Sequence, residues 1–247
     1  MHPDYEQLVA KELEDWRREM LKNPGIGSRL SETVQQRINK ALPEKFHQIV
    51  TSALKNMVNT VITGSGWITA RPLQDETLQY REALVRDKIA AYAGTASIEG
   101  AVTGAGGILS SLADFPLWLS IKLKLLTEIA ALYGYDLKMF RERLYLLYTF
   151  QACFSNKRYR KEVYSILTDW PETDIAAQSA EDFDWRTFQQ QYRDYIDLAK
   201  LIQMIPGVGA VTGAWVNHRL TTRLGHTAMN TYRLRWFRDH STNNTSL

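Results

Sequence analysis

Hydrophobic residues recur every three or four positions along most of the chain, which is the period of an α-helix with one buried face. From Asp4 to Leu21, for example, apolar side chains alternate with charged ones at this spacing. The same pattern predicts further helices at 31–42, 44–62, 70–102, 114–134, 136–154, 157–167, 184–204 and 206–237. No segment keeps the alternation of a β-strand beyond a few residues. The chain is therefore predicted to be an all-α helical bundle.

Several residues mark where these predicted helices begin and end. Asp114 and Asp136 stand where N-cap residues are expected, and Pro116 suits a first helical turn. Gly134 is placed to end the helix that begins near Asp114. Pro206 is expected to open the last helix.

The hexapeptide GAVTGA occurs twice, with glycines at Gly100 and Gly104 in the first copy and at Gly209 and Gly213 in the second. Residues four apart share one face of a helix. A glycine inside a helix costs about 1 kcal/mol against alanine, and close approach of a second helix offsets that cost. We therefore predict that two glycine-rich, GxxxG-like helical segments pack against each other at the centre of the bundle.

Both glycine-rich segments are poor in charge, which raises membrane insertion as an alternative. Between Ile89 and Ala113 the only charged residue is Glu99, and residues 201–218 carry none when His218 is neutral. These lengths approach the roughly 20 residues of a bilayer span. Ala, Gly, Ser and Thr supply little transfer free energy, however, and a mid-span Glu99 opposes insertion by about 3 kcal/mol. Reversible association with a membrane surface is expected rather than a span.

Two stretches carry a family resemblance: IEGAVTGAGGILSSLADFPLWLSIKLKLLTEIAALYGYDL and MIPGVGAVTGAWVNHRLTTRLGHTAMNTYRLRW. The ADFP helix start, the YGYD ending and the IPGVGA entry to the last helix resemble the EcsC family over Val85 to Phe237. The resemblance implies a helical bacterial protein of a family named for its proximity to an ABC transporter. Some members carry a hydrolase or peptidase label, so the resemblance also implies a hydrolase as an alternative function.

Glu99 is the polar residue that fits a plain core least well, because a lone buried carboxylate must be neutral or paired. We expect Glu99 to be internal and paired with a cation of the last helix, Arg219 first. The hydrolase alternative instead gathers Glu99, Asp114 and His218 as catalytic candidates near Asn217. No HExxH or CxxC spacing is present, so no metal is predicted. GVGAVTG lacks the preceding strand of a dinucleotide-binding loop, so no cofactor is predicted either.

The last predicted helix carries a polar, mostly basic stripe whose members are spaced by four, three, four and three residues: Arg219, Arg223, His226, Asn230 and Arg233. Arg235 and Trp236 extend it. The structural interpretation is a solvated helix face. The functional interpretation is a surface that faces anionic phospholipid headgroups or an acidic partner.

Composition limits the remaining functions. The chain of 247 residues has a formal net charge of +3 and one cysteine. That charge is too small to predict a nucleic-acid partner. The charged first residues predict no signal peptide, and hence a cytoplasmic protein. Together with the stripe on the last helix, this predicts a protein that is peripheral at the inner membrane. An N-terminal helical region is assigned to 1–84, an EcsC-like helical domain to 85–238 and a disordered tail to 239–247.

From the sequence we therefore expect a non-enzymatic helical protein that acts at the inner-membrane surface or on a membrane-associated complex. The hydrolase is the first alternative. An adaptor or immunity protein that binds one protein partner is the second.

Overall fold

The structure, a computed structural model, describes residues 3–23, 44–64, 70–104, 115–155, 159–170, 173, 184, 188 and 210–243, without the side chains of 3, 44–47, 96–104, 210–214 and 241–243. This part of the chain forms seven helices and no strand, which confirms the predicted all-α bundle. They are α1 (Pro3–Leu21), α2 (Glu44–Thr63), α3 (Leu78–Gly104), α4 (Phe115–Leu132), α5 (Phe140–Phe154), α6 (Arg160–Thr168) and α7 (Ala210–Asn243).

Several helix boundaries differ from the predicted ones. α3 begins at Leu78 rather than near residue 70, because the Thr77 hydroxyl accepts the amide N–H of Tyr80 and so caps the helix. α7 continues past Phe237 to Asn243, so the predicted tail begins inside a helix. The predicted division at 84/85 falls within α3. The predicted helices at 31–42 and 184–204 lie outside the described residues, apart from two isolated positions in the second.

The turn after α4 follows the sequence prediction at one residue and departs from it at another. Gly134 has a φ of +96° and its amide donates to the Ala131 carbonyl at 2.9 Å, as expected of a glycine that ends a helix. Asp136 was predicted to cap α5, but α5 begins later, after Met139. The Asp136 carboxylate instead accepts the Lys138 amide at 2.9 Å and stabilises the turn before the helix.

α3 and α7 form the long central pair of the bundle and run antiparallel. Glu82 near the start of α3 contacts Arg233 near the end of α7, and Ile89 further along contacts Gly225. α4 runs parallel to α7, since Trp118 contacts Asn217 and Tyr133 stacks on Tyr232 at 5.4 Å. α5 packs on α7 beside them, and α1, α2 and α6 surround this centre.

Gly225 is the glycine at which the central pair makes its closest described approach. A Cβ built there would lie 2.4 Å from Cγ1 of Ile89, closer than side chains pack. Sequence reasoning assigned close packing to the GAVTGA glycines and missed Gly225, which stands alone between His226 and Leu224 without a partner four residues away.

The packing of the two GAVTGA copies stays a prediction. Gly100 and Gly104 lie on α3 and Gly213 on α7, where no side-chain contacts are described, and Gly209 lies outside the described residues. If the antiparallel register from Glu82–Arg233 to Ile89–Gly225 continues, the two copies come opposite each other at one end of the bundle. We call this end, where α3 ends and α4 and α7 begin, the glycine end.

Replacing Gly225 with alanine should destabilise the protein relative to the same change at Gly94. Both glycines are inside helices, so both alanines gain about 1 kcal/mol of helix propensity. A Cβ at Gly94 meets nothing within 4 Å, whereas at Gly225 it forces Ile89 to move, at about 1–3 kcal/mol. Chemical denaturation of the two variants measures the difference. Equal stabilities would contradict close packing of α3 and α7 at this point.

Candidate functional site on the last helix

The stripe predicted on the last helix is divided into two halves with opposite surroundings. In the C-terminal half, Arg233 is 3 % exposed and Arg235 is 4 % exposed. In the N-terminal half, Arg219 and Arg223 are exposed to solvent. Only the second pair is available to a ligand or a surface.

Arg233 lies in a buried polar cluster centred on Glu82 of α3. Its Nε and Nη2 atoms donate to the two carboxylate oxygens of Glu82, both at 2.7 Å. Glu82 is fully buried and also accepts from the hydroxyls of Tyr5, at 2.7 Å, and Tyr133, at 3.1 Å. Arg86 of α3 donates to the same carboxylate at 3.0 Å. A single carboxylate therefore joins α1, α3, α7 and the turn that follows α4.

The charge of Glu82 is set by two opposing effects. Burial raises the pKa of Glu82, but Arg233 and the hydroxyls of Tyr5 and Tyr133 outweigh that effect, so its pKa lies below the ordinary 4.5. Burial lowers the pKa of Arg233, and Glu82 raises it beyond its ordinary value. The pair is therefore ionised at neutral pH.

Arg235 occupies a second buried site, two residues further along and on the opposite side of α7. Its Nη2 donates to Oε1 of Glu142 on α5 at 2.9 Å, and its Nη1 donates to the second carboxylate oxygen. The guanidinium also lies 3.6 Å from the ring centre of Tyr135 and 4.7 Å from that of Tyr145. This arrangement combines a bidentate ion pair with cation–π contacts.

These contacts correct the prediction that Arg233 and Arg235 face lipid. Each is neutralised by a buried carboxylate and contacts protein on several sides, so neither reaches a headgroup. Trp236 is half-buried, with the Arg81 guanidinium 5.4 Å from its ring centre and the His240 ring stacked on it at 3.9 Å. Its indole is engaged within the fold.

The N-terminal half of α7 has the opposite character. Trp215 is 61 % exposed, and the guanidinium of Arg219 lies 5.3 Å from its ring centre. His218 and Arg223 are also exposed. His226 lies at the junction of the two halves and is exposed in part. Its partial burial lowers its pKa, and the nearby cations Arg233 and Arg86 lower it further. His226 is therefore mainly neutral at pH 7.

Asn217 turns inward and takes part in a buried polar contact with α4. Its Oδ1 accepts the ammonium of Lys122 at 2.9 Å and the indole N–H of Trp118 at 2.7 Å. Lys122 is fully buried, and its Nζ also lies 4.9 Å from the Trp118 ring centre. A sequence signal existed, because Lys122 shares a helix face with Leu119 and Leu126, both core residues.

Of the three catalytic candidates, only His218 has a described side chain. Asp114 lies outside the described residues, and Glu99 lies on α3 where side chains are not described, so its pairing with Arg219 stays a prediction. His218 is exposed whereas the adjacent Asn217 is buried. Within the described part of the chain, no three His, Cys, Asp or Glu residues form a group that could hold a metal ion.

Comparison with known proteins decides the family. The model of the EcsC protein family matches residues 7–237. The chain belongs to the EcsC family. The match begins before Val85, where the EcsC-like domain was placed from the sequence.

Two relatives of this EcsC-family chain come from Bacillus subtilis (strain 168). Protein EcsC is 41 % identical over 230 residues, covering 93 % of this chain and 95 % of the relative. Uncharacterized protein YdbA is 28 % identical over 246 residues, covering 91 % and 90 %. No solved structure matches the chain.

The described EcsC helices also bear on the membrane question. None of them combines the length and apolar character needed to cross a bilayer.

Replacing Glu82 with glutamine should lower the free energy of unfolding by about 3–5 kcal/mol, because Arg233 would keep a buried charge without its carboxylate. The half-exposed Glu12, 3.0 Å from Arg233, would remain as a weaker partner. Urea denaturation at pH 7 measures the loss. Glu14→Gln is the matched control: Glu14 is exposed and pairs with Arg17 and Arg18, so its effect should stay within about 0.5 kcal/mol.

The same pair should give a specific pH dependence. Because the pKa of Glu82 is lower in the folded than in the unfolded protein, its contribution is fully present above about pH 4.5. It is lost as pH falls through the folded-state pKa. The stability difference between wild type and Glu82→Gln should therefore shrink below pH 4.5. A difference that is small at pH 7, or constant down to acid pH, would contradict this account.

Proposed function

We propose that this EcsC-family chain is a non-enzymatic helical protein that acts at the inner-membrane surface or on a membrane-associated complex. Its contact surface is the N-terminal half of α7 at the glycine end of the bundle. The observation that carries the proposal is the exposed Trp215, 61 % accessible, with the guanidinium of Arg219 over its ring.

An exposed tryptophan beside an arginine suits a membrane interface. Tryptophan combines a large apolar ring with one N–H donor and is favoured at the level of lipid headgroups. Arginine places its charge near phosphate while its aliphatic part follows the apolar surface. In Trp215 and Arg219 the two groups are already in contact, so little side-chain ordering remains to be done on binding.

Exposed cations on the same half of α7 add to this attraction. Near an anionic leaflet each Arg or Lys contributes about 1 kcal/mol, and Arg219 and Arg223 are both exposed. The buried Arg233 and Arg235 add nothing of this kind. The proposed contact surface is therefore smaller than the sequence stripe: it keeps the N-terminal part of the stripe, Arg219 and Arg223, and adds Trp215.

A second apolar side chain is exposed at this end. Leu117, in the first turn of α4, is 57 % exposed. It precedes Trp118, which contacts α7 two residues after Trp215. Partial burial of Leu117 and Trp215 in the headgroup region, with two arginines, supports reversible binding without a membrane span.

Two variants test the proposed surface by co-sedimentation with liposomes of increasing anionic lipid content. Trp215→Ser and the double change Arg219→Ser with Arg223→Ser should each reduce the bound fraction. The double change should reduce binding by roughly tenfold or more, the effect of two surface cations. Wild-type binding should weaken at high salt, because exposed charges are screened over roughly 10 Å at 0.1 M.

The matched control changes two exposed arginines elsewhere, Arg17→Ser with Arg18→Ser on α1. It removes the same charge and should bind as the wild type does, with circular dichroism confirming that all variants fold. Wild-type protein that ignores anionic liposomes at low salt would contradict the proposal and favour a protein partner. If the control variant lost as much liposome binding as the Arg219→Ser, Arg223→Ser variant, the attraction would depend on net charge alone.

A further inference from the structure

A cleft of about 330 Å³ lies between α2 and α4. Its floor consists of core side chains of both helices, Ala53 and Met57 on α2 and Leu119 and Leu123 on α4. Small-molecule sites typically measure ~300–1,000 Å³ and have mainly apolar walls. A methylene group is taken to occupy ~30 Å³, the volume of one water molecule in the liquid. The cleft therefore has room for roughly ten methylene groups.

The rim of this cleft is polar and carries a positive charge. Asn56 and Thr60 are one turn apart on α2, and Ser120 and Lys124 are one turn apart on α4. The Thr60 and Ser120 hydroxyls donate to carbonyls of their own helices. Among the described rim residues, the nitrogen donors are thus the Lys124 ammonium and the Asn56 amide. Lys124 also attracts Glu128, which lies one turn further along α4. None of the described residues that line the cleft is acidic.

We propose that the cleft binds a fatty-acid anion, with the acyl chain on the floor and the carboxylate at Lys124. An apolar floor requires an apolar ligand portion of matching volume. The charge that the described rim residues carry, the Lys124 ammonium, attracts an anionic head more strongly than a neutral or cationic one. The occupant is therefore a single-chain amphiphile of about ten carbons or the first part of a longer chain.

The cleft extends towards the glycine end, since Pro116 in the first turn of α4 lines it, and the next residue, Leu117, is exposed. A surface that touches a membrane there would have access to fatty acid from the bilayer. The bilayer as the source of the ligand rests on the proposed function, whereas binding of the ligand in the cleft does not. The two are therefore tested separately.

The test uses monomeric sodium decanoate, without vesicles, and protein labelled at the methionine methyl groups for NMR. Decanoate should shift the Met57 methyl resonance in a saturable manner and leave that of Met139 unchanged, because Met139 is 50 % exposed and lines no part of the cleft. Ser120→Trp, which places a ring over the cleft from an exposed position, should abolish the Met57 shift. The equivalent change of an exposed serine on α6, Ser165→Trp, should not.

Lys124→Gln tests the predicted headgroup. It should weaken decanoate binding roughly fivefold, the effect of one surface cation, while the control Lys11→Gln leaves it unchanged. The neutral decyl glucoside should bind wild type and Lys124→Gln alike, and more weakly than decanoate binds wild type.

The inference is overturned if decanoate leaves Met57 unmoved, if Met57 and Met139 shift together, or if Ser120→Trp has no effect. Neutral and anionic probes that bind equally would overturn the assignment of a fatty-acid anion. Liposome binding with no Met57 response would leave the proposed function standing and reject the cleft. A Met57 response without liposome binding would support the cleft and reject the proposed function.

Discussion

The buried ion pair between Glu82 and Arg233 is the interaction on which most of the structure depends. A carboxylate without solvent exposure is costly to fold around, and this one is satisfied only when α1, α3, α7 and the turn that follows α4 are all in place. Helices that slide past each other by one turn would leave either Glu82 or Arg233 unpaired. The pair therefore fixes the register of the central antiparallel helices, and Gly225 lets them approach at Ile89.

This register also explains why the last helix has two different halves. Arg233 and Arg235 point to opposite sides of α7, and each meets a buried carboxylate, Glu82 on α3 and Glu142 on α5. Towards the glycine end the helix presents Trp215 and Arg219 to solvent. One helix thus supplies both the polar contacts that hold the bundle together and an exposed aromatic–cation pair suited to a membrane surface.

Periodicity alone predicted the helices and the all-α class, because each helix buries one face and its spacing is visible in the sequence. Gly134 was also predictable, since ending a helix with positive φ requires glycine. The burial of Arg233 could not be predicted from the sequence. Its partner Glu82 lies 151 residues away, and the spacing of the stripe is the same whether its partners are solvent or carboxylates. Gly225 was missed for a similar reason, because its neighbour Ile89 is on another helix.

The central functional claim is the proposal that the N-terminal half of α7 contacts a membrane surface. The position of Trp215 relative to a bilayer tests this claim most directly. The chain has seven tryptophans, and fluorine-labelled tryptophan gives each its own NMR signal. Anionic vesicles that contain spin-labelled lipid broaden only the signals that approach the bilayer. The account predicts strong broadening of Trp215 and none of Trp170, which is 2 % exposed in the core. A Trp215 signal that stays sharp in the presence of these vesicles would contradict it.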